Sequence, residues 1–498
     1  MTHMQTDTDT DIDTDIDVRP AIDTALAEAA SHARAGRFGD AIARLQPLAR
    51  EAPDHWPLHA ALVDLHEVMG AHGQAATSLQ AYLHRNSGSA DAWLRFAGLL
   101  QRTGHPAQAL EAVRASLALR GDAPQALHLL GCLSDREDPA AADAFARAIA
   151  LAPGWNLPRR HLAALLRARG DTARALALLR EATRLQPDDQ LAWMQLAETQ
   201  LEQGDDAGWD AYAWRFDCGG RTPQYPGTHA PLWDGRPLQG EIVMVWLEQG
   251  LGDQLQFCRY LQGIVAAGGR VWLQTPHRLR GLLASLGTVE RFFDEGETPQ
   301  GYDLQIPLLS LPHTLRDTWP GMPTAPYLYA NAPLSAQADA LLAVPPGTTR
   351  IGLVHASRPD HPCAAQRDCP LPLFAPLADL PGLRLYDLQF GSTAMAPDWL
   401  TRIGHVAGDF AHTAAIVDRL DLVITVDTAM AHLCGALGRQ VWVLLPTPCD
   451  WRWRRDRDDS PWYPSMRLYR QARSGDWSAP LARIAEHLRT WTDRAGTA

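Results

Sequence analysis

Residues 154–187 read GWNLPRRHLAALLRARGDTARALALLREATRLQP, and their pattern recurs along the first two fifths of the chain. The segment has a small residue at Ala163, a glycine at Gly170, a second small residue at Ala175 and a closing proline at Pro187. Glycine permits a tight turn, and proline ends a helix because it has no amide hydrogen to donate. The pattern therefore predicts two helices joined by a turn.

The same register extends through six repeats. The first small residue is spaced 34, 34, 34, 32 and 34 residues apart, at Ala29, Val63, Ala97, Gly131, Ala163 and Ala197. This pattern resembles tetratricopeptide repeats, and the resemblance implies a helical superhelix over residues 22–223. Such a stack presents a concave groove that docks a peptide or protein. The alternative is a spacer or a dimer contact.

Length and composition limit the number of domains and the kinds of site that the chain can contain. A chain of 498 residues predicts two to four domains. Residues 1–21 contain aspartate at every second position from Asp7 to Asp17, which accounts for much of the net charge of −12 and predicts a disordered acidic tail. The seven cysteines form no CxxC pair, which argues against a disulfide framework and a zinc site.

The sequence does not suggest a secreted protein, a membrane protein or a nucleic-acid-binding protein. The N-terminus has no signal-peptide pattern and the chain has no long apolar run, so we expect a cytoplasmic protein without membrane insertion. Nucleic acid is not expected as a partner because no basic stripe accompanies the aromatic residues.

After about residue 205 the chain becomes rich in Gly, Pro and Trp, and then short apolar runs alternate with helical stretches. The predicted strands are EIVMVWL, RVWLQT, YDLQIP, RIGLVHA, LRLYDLQ, DLVITVD and QVWVLLP. This alternation predicts an α/β fold. We expect two Rossmann-like lobes, residues 224–345 and 346–498, with a cleft between them.

Ligands bind at the carboxyl ends of parallel strands, so a binding site is expected in the loops that follow the apolar runs. In VMVWLEQGLGD, residues 243–253, Gly250 and Gly252 permit a tight turn and close approach of a substrate. Asp253 either caps the following helix or accepts a proton from an attacking hydroxyl. The segment is not a dinucleotide fingerprint, because Leu255 stands near the place of the third glycine.

Two loops of the second lobe contain candidate phosphate ligands. In DLVITVDTAMAHL the start of a helix offers amides, a hydroxyl and an imidazole to a diphosphate, at Asp427, Thr428, Ala429, Met430 and His432. The alternative is that Asp427 is a cap and His432 a packed side chain. The third loop supplies Ser357, Arg358, His361 and Arg367. These are either phosphate contacts or the chance composition of an exposed loop.

The stretches WLEQGLGDQLQFCRYL, GDFAHTAAIVDRLDLVIT and VDTAMAHLCGALGRQVWVLLPT resemble the catalytic half of bacterial tetratricopeptide-repeat glycosyltransferases. That half is similar to the heptosyltransferases of family GT9 and implies a GT-B pair of lobes. The resemblance implies that Asp253 is the catalytic base. It also implies that Asp427, Thr428 and His432 bind the diphosphate of a nucleotide-sugar donor.

The chain departs from that family at two places. Ala429 replaces a glycine, and residues 357–365 read SRPDHPCAA where relatives have G-N-P-x-H-x-N-D-R. Several polar contacts of that loop are therefore absent, while Arg367 remains a candidate phosphate partner. We expect no cofactor and no metal, because the Asp456-x-Asp458 pair is typical of a charge-rich loop.

These features together predict an inverting, metal-independent glycosyltransferase. It would transfer a sugar to a hydroxyl of a protein held in the repeat groove, and the resemblance suggests a flagellin-like acceptor. Two alternatives stay open. The acceptor is a glycan or lipid-linked molecule, or the chain is a non-catalytic scaffold with a relic transferase half.

Overall fold

A computed structural model describes residues 19–216, 230–319, 326–361, 363–391 and 396–495. The chain separates into two compact parts, one ending at Leu178 and the other beginning at Leu179. We call them the N-terminal part and the C-terminal part. Residues 1–18 of the expected acidic tail and the expected domain boundary at 223/224 lie outside the described residues. The predicted domain limits therefore stay predictions.

The N-terminal part consists of paired helices, as the repeat pattern predicts. In chain order these are α1 (Arg19–Arg34), α2 (Phe38–Glu51), α3 (Trp56–Val68), α4 (His72–Arg85), α5 (Ala90–Arg102), α6 (Pro106–Leu119), α7 (Pro124–Leu133), α8 (Pro139–Leu151), α9 (Asn156–Ala168) and α10 (Thr172–Leu185), the last of which crosses into the C-terminal part. Each buried cluster draws on three successive helices: α1 to α3, α3 to α5, and α5 to α7. Each repeat thus buries its apolar face against the next.

The residues that set the register have the expected roles. Positive φ angles occur at all five predicted turn glycines, Gly36, Gly70, Gly104, Gly170 and Gly204. A Cβ atom at Gly131 would lie 2.7 Å from the ring of Phe145, so the first helix of that repeat can approach its partner only with glycine there. The prediction of a tetratricopeptide-type helical solenoid is confirmed.

The C-terminal part contains two all-parallel sheets. The first has the order β3-β2-β1-β4 and consists of β1 (Ile242–Trp246), β2 (Arg270–Gln274), β3 (Val289–Phe293) and β4 (Leu304–Pro307). The second has the order β10-β9-β8-β5-β6-β7 and consists of β5 (Thr349–Val354), β6 (Leu383–Asp387), β7 (Leu400–Arg402), β8 (Leu422–Val426), β9 (Val441–Leu445) and β10 (Met466–Arg470). The α/β prediction is confirmed in this form.

Helices precede and connect these strands, since parallel strands require crossover connections. They are α11 (Gln190–Gln203), α12 (Gly208–Tyr212), α13 (Leu251–Phe257), α14 (Leu261–Ala266), α15 (His277–Leu283), α16 (Leu311–Leu315), α17 (Ala332–Leu341), α18 (Ala364–Arg367), α19 (Ala375–Ala378), α20 (Phe410–Asp418), α21 (Ala429–Ala436) and α22 (Ser478–Ala495). Helix α13 follows β1, and helix α21 follows β8. The carboxyl ends of these two strands therefore lead into the two main candidate loops.

The described ranges contain no helix that combines the length and the hydropathy needed for a transmembrane span. Six of the seven cysteines are described, and all six are free thiols. Cys218 lies outside the described residues.

Candidate functional site

The loop after β1 holds Asp253 at the start of α13. One carboxylate oxygen, Oδ2, accepts a hydrogen bond of 2.8 Å from the Gly250 amide. The preceding residue, Gln249, has a φ of 59° and donates through Nε2 to the Tyr212 hydroxyl at 2.8 Å. Asp253 therefore makes the capping contact that one sequence interpretation predicted.

The second oxygen of Asp253 pairs with an arginine that the sequence analysis did not identify. Arg452 Nη2 lies 2.5 Å from Asp253 Oδ1, and Arg452 Nη1 lies 3.0 Å from Asp450 Oδ1. Arg452 Nε donates to Gln256 Oε1 at 2.8 Å. Burial opposes the charge of Arg452, but Asp450 and Asp253 outweigh burial and raise the pKa of the guanidinium. This residue links the first helix after β1 to the loop after β9.

The Gly250–Asp253 turn contacts helix α21 directly. A Cβ atom at Gly252 would lie 2.9 Å from His432 Cδ2 and 3.5 Å from the Ala429 Cα. Any residue larger than glycine would push the turn away from the helix, because real Cβ atoms do not approach so closely. The structure thus brings together two of the three loops that were predicted separately.

His432 lies in an enclosed and largely aromatic environment. Its Nδ1 is 3.0 Å from the Tyr463 hydroxyl, and its ring stacks on Trp453 with centroids 5.2 Å apart. Burial, reinforced by the charge of Arg452, lowers the pKa of His432 to about 3. The imidazole is therefore neutral at physiological pH. Its packing agrees with the alternative interpretation of His432 as a packed side chain.

Thr428 precedes α21 and caps it. Its hydroxyl accepts a hydrogen bond of 3.3 Å from the Met430 amide and lies 3.2 Å from the Thr425 hydroxyl. Thr428, Ala429 and Met430 are half-buried, whereas the residues on either side of them are buried. The partly accessible end of α21 thus carries the partial positive charge of a helix N-terminus.

Asp427 and Arg367 connect the second and third loops. Arg367 Nη1 donates to the Asp427 carbonyl at 3.3 Å, and Nη2 lies 3.5 Å from Asp427 Oδ2. Burial raises the pKa of Asp427 to about 6, with Arg367 opposing the rise and Asp450 adding to it. The Trp453 indole also lowers this pKa, although neither Asp427 Oδ2 nor the indole nitrogen has a hydrogen bond of regular geometry. The contacts of Asp427 therefore offset only part of the cost of burying its charge.

The remaining candidates of the third loop make their contacts within that loop. The Ser357 amide and hydroxyl each lie 2.7 Å from Asp368 Oδ1. His361 Nδ1 accepts a hydrogen bond from the Cys363 amide at 3.1 Å. Arg358 is exposed, 3.6 Å from Asp360. Among these candidates, only Arg367 contacts the second loop through a hydrogen bond or ion pair.

Backbone strain occurs in the loop after β1 and in the loop after β9. Gln249 and Arg454, with φ of 59° and 50°, are the two residues other than glycine that have positive φ in the described part of the chain. One lies four residues before Asp253 and the other two residues after Arg452. Strained backbone of this kind is typical of functional sites.

A second candidate surface lies in the N-terminal part, where helices α3, α5 and α7 border a depression. Its lining is mixed in charge and comprises Glu67, Leu94, Arg95, Gly98, Arg102, Gln125 and Leu129. Arg95 Nη2 lies 2.9 Å from Glu67 Oε2, and Arg102 also pairs with Glu67. The three helices are the first helices of successive repeats, so the depression runs across the stack.

Comparison with known proteins supports the repeats. Models described as Tetratricopeptide repeat match residues 26–91 and 157–199. Protein FlbA of Caulobacter vibrioides is 26% identical over 497 residues, which cover 92% of this chain and 82% of that protein.

Two solved structures are similar to part of this chain. A Pseudomonas aeruginosa pilF structure is 16% identical, covers 42% of this chain and 94% of its own, and has a TM-score of 0.36. YrrB, described as a TPR protein with an unusual peptide-binding site, is 17% identical, covers 35% and 94%, and has a TM-score of 0.30. The sequence matches and the helix pairs described above show that this chain contains tetratricopeptide repeats. Arrays of such repeats form protein-interaction scaffolds.

Proposed function

We propose that the C-terminal part is a GT-B glycosyltransferase and that it transfers a sugar from a nucleotide-sugar to a hydroxyl of a protein bound by the repeats. The observation that carries the proposal is the contact between the Gly250–Asp253 turn and α21. It places a partly exposed carboxylate beside the half-buried N-terminus of a helix, and these two groups follow strands of two different parallel sheets. Nucleotide-dependent transfer needs both a proton acceptor and a site for a leaving diphosphate.

Asp253 suits the role of proton acceptor in this reaction. A carboxylate has about four lone-pair sites, and Gly250 and Arg452 occupy one each. The acceptor hydroxyl would lose its proton to Asp253 while its oxygen attacks the anomeric carbon. The bond from that carbon to the diphosphate oxygen would break on the opposite face, which inverts the anomer. Arg452 would act through Asp253 as a positioning residue, because it fixes the carboxylate.

The leaving diphosphate would bind at the N-terminus of α21. The amides there and the Thr428 hydroxyl offer donors, and Arg367, whose ion pair with Asp427 is 3.5 Å long, offers a cation that could be exchanged to the diphosphate. Arg452 is less suited, because two carboxylates and Gln256 already surround it. Donors fixed in place before the reaction stabilise developing charge without reorganisation.

A non-catalytic scaffold is the second candidate, and one observation favours it. Asp253, Thr428 and His432 each make a contact that also explains them as structural residues, namely two caps and a buried ring. The chain would then act through its repeats alone.

Binding and hydrolysis of nucleotide-sugars separate the two candidates. We would screen UDP-, GDP-, ADP-, CMP- and dTDP-sugars by thermal shift, because a ligand at 100 times its dissociation constant stabilises a protein by about 2.7 kcal/mol. The transferase predicts stabilisation and slow hydrolysis with at least one donor. No response to any of these sugars would favour the scaffold.

Substitution at Asp253 then tests the mechanism. Asp253→Asn should lower turnover about a hundredfold or more, as expected for a lost general base, while donor affinity changes little. Asp450→Asn is the matched control, because it also removes a carboxylate from Arg452. If both variants are folded and equally active, Asp253 is only a cap.

A further inference from the structure

Helices α7 and α9 of the N-terminal part bring three potential metal ligands together. His128 and Cys132 lie one helical turn apart on α7, and His161 lies on α9. His128 Nε2 is 2.9 Å from His161 Nδ1, while Cys132 Sγ is 3.6 Å from the first nitrogen and 3.2 Å from the second. The three atoms therefore surround a single point.

These separations can be compared with those around a tetrahedral ion. Zinc bonds are about 2.0–2.1 Å to nitrogen and about 2.3 Å to sulfur, so tetrahedral angles separate two nitrogens by about 3.4 Å and nitrogen from sulfur by about 3.6 Å. The distance from Cys132 Sγ to His128 Nε2, 3.6 Å, matches the expected value, whereas the distances of 3.2 Å from Sγ to His161 Nδ1 and 2.9 Å between the two nitrogens are shorter than expected by about 0.4 and 0.5 Å. Small side-chain rotations that move the imidazoles apart would admit the ion. A thiol and two neutral imidazoles without metal would instead form a short chain of hydrogen bonds.

In the metal-free chain, burial disfavours the charged form of all three side chains. Burial, followed by the charge of His161, lowers the pKa of His128 to about 4. Burial also lowers the pKa of His161, with Arg160 adding to the effect. Burial raises the pKa of the Cys132 thiol to about 11, so a metal ion would have to displace its proton, as it does at other thiolate sites.

Aromatic side chains hold the rings of the cluster in place. Trp155 contacts His128 edge to face at 4.9 Å, and Phe145 lies 5.7 Å from His128 and 5.9 Å from His161. All three candidate ligands are half-buried rather than fully enclosed. The cluster uses no residue of the proposed transferase site.

We infer that His128, Cys132 and His161 form a zinc-binding site with three protein ligands and water as the fourth. Two imidazoles and a thiolate are the donor set that zinc accepts readily. The ion would join the first helices of the fourth and fifth repeats. That junction is where the spacing of the small residues falls from 34 to 32.

This inference differs from the sequence-based expectation of no zinc site. That expectation depended on the absence of a CxxC pair. The signal it missed is a His and a Cys four residues apart on one helix, which therefore lie on one face. The third ligand comes from the next repeat and could be recognised only from the helix register.

The test uses the full chain without a histidine tag, stripped with a chelator and titrated with Co²⁺ and then Zn²⁺. We expect one Co²⁺ per chain and a near-ultraviolet thiolate-to-cobalt charge-transfer band that Zn²⁺ abolishes. Cys132→Ser should remove the band, and His161→Gln should weaken zinc binding at least tenfold, since even outer-shell changes have effects of that size. The matched controls are Cys363→Ser and His59→Gln, which should change neither.

The wild-type chain gives an answer even if a variant misfolds. Stoichiometric Zn²⁺ should protect Cys132, and not Cys363, from alkylation as read by peptide mass spectrometry. Absence of a charge-transfer band and of protection in the wild type would overturn the site. Equal zinc binding by wild type and by folded Cys132→Ser would show an adventitious ion only.

Discussion

Replacing Asp427 by Asn should stabilise the C-terminal part at neutral pH, although it removes a charge next to Arg367. The rise of the Asp427 pKa from 3.8 to about 6 means that the folded chain ionises this carboxyl at a cost of about 3 kcal/mol. Asparagine has the same shape without that cost. The variant loses an ion pair of 3.5 Å, whereas the bond from Arg367 to the backbone carbonyl stays. We expect a net gain of about 1–3 kcal/mol at pH 7.5.

The sign of the pH dependence follows from the same pKa. Between pH 3.8 and about 6 the folded chain binds more protons at Asp427 than the unfolded chain does. Stability from this group is therefore complete below that window and is lost as the pH rises through it. The difference between Asp427→Asn and wild type should be near zero at pH 4 and should reach its maximum above pH 6.

Urea denaturation at closely spaced pH values measures this difference. Asp387→Asn is the control, because Asp387 is equally buried but accepts hydrogen bonds from Arg402 at 3.2 Å and from the Gln389 amide at 2.8 Å. Its substitution should destabilise by about 1–3 kcal/mol, the opposite sign. A loss of stability in Asp427→Asn that is the same at pH 4.5 and 7.5 would refute the reasoning, because the carboxylate would then make a contact that stabilises its charge.

Four further outcomes are expected. Gly252→Ala should lower the free energy of unfolding by about 1–3 kcal/mol, because its Cβ would collide with His432. It should also lower donor turnover. Denaturation curves indistinguishable from those of the wild type would mean that the turn and α21 separate in solution. Thr428→Val should weaken nucleoside diphosphate binding by about 1–3 kcal/mol without affecting the bare nucleoside, and calorimetry with equal losses would place the phosphates elsewhere. Donor hydrolysis should continue in the presence of EDTA, and its loss would contradict a metal-independent reaction. Arg95→Ala in the repeat depression should raise KM for a protein acceptor and leave donor hydrolysis unchanged. A change in the rate of hydrolysis would contradict this prediction.

The fold was largely predictable because its signals are local. Small residues and turn glycines recur in register, so the helix pairs follow from spacing alone. All seven predicted strands exist, since each is a run of apolar residues between turns. The strands that were missed, β3, β7 and β10, are short or carry charged residues, as in VERFF and MRLYR. Edge strands bury only part of their surface, and hence lack a continuous apolar signal.

The site was predictable only residue by residue. Asp253, Thr428 and His432 could be singled out because each follows a strand in its own loop. Their mutual arrangement depends on contacts between residues far apart in sequence, such as Asp253 with Arg452, which are 199 positions apart. No local pattern identifies Arg452, which stands in a loop that reads CDWRWRRDRDD. Charge-rich loops are common on surfaces, so only packing shows which arginine is buried.

The buried position of Arg452 bears on the choice between an enzyme and a relic. Two carboxylates and a glutamine satisfy this arginine, and one of those carboxylates is the proposed base. Burying such a group is costly, and well-packed apolar residues can often replace a buried ion pair without loss of stability. If Asp253 served only as a helix cap, its hydrogen bond with the Gly250 amide would be sufficient. The additional arginine fixes the second carboxylate oxygen, and holding a carboxylate in one orientation is what proton transfer from a bound hydroxyl requires.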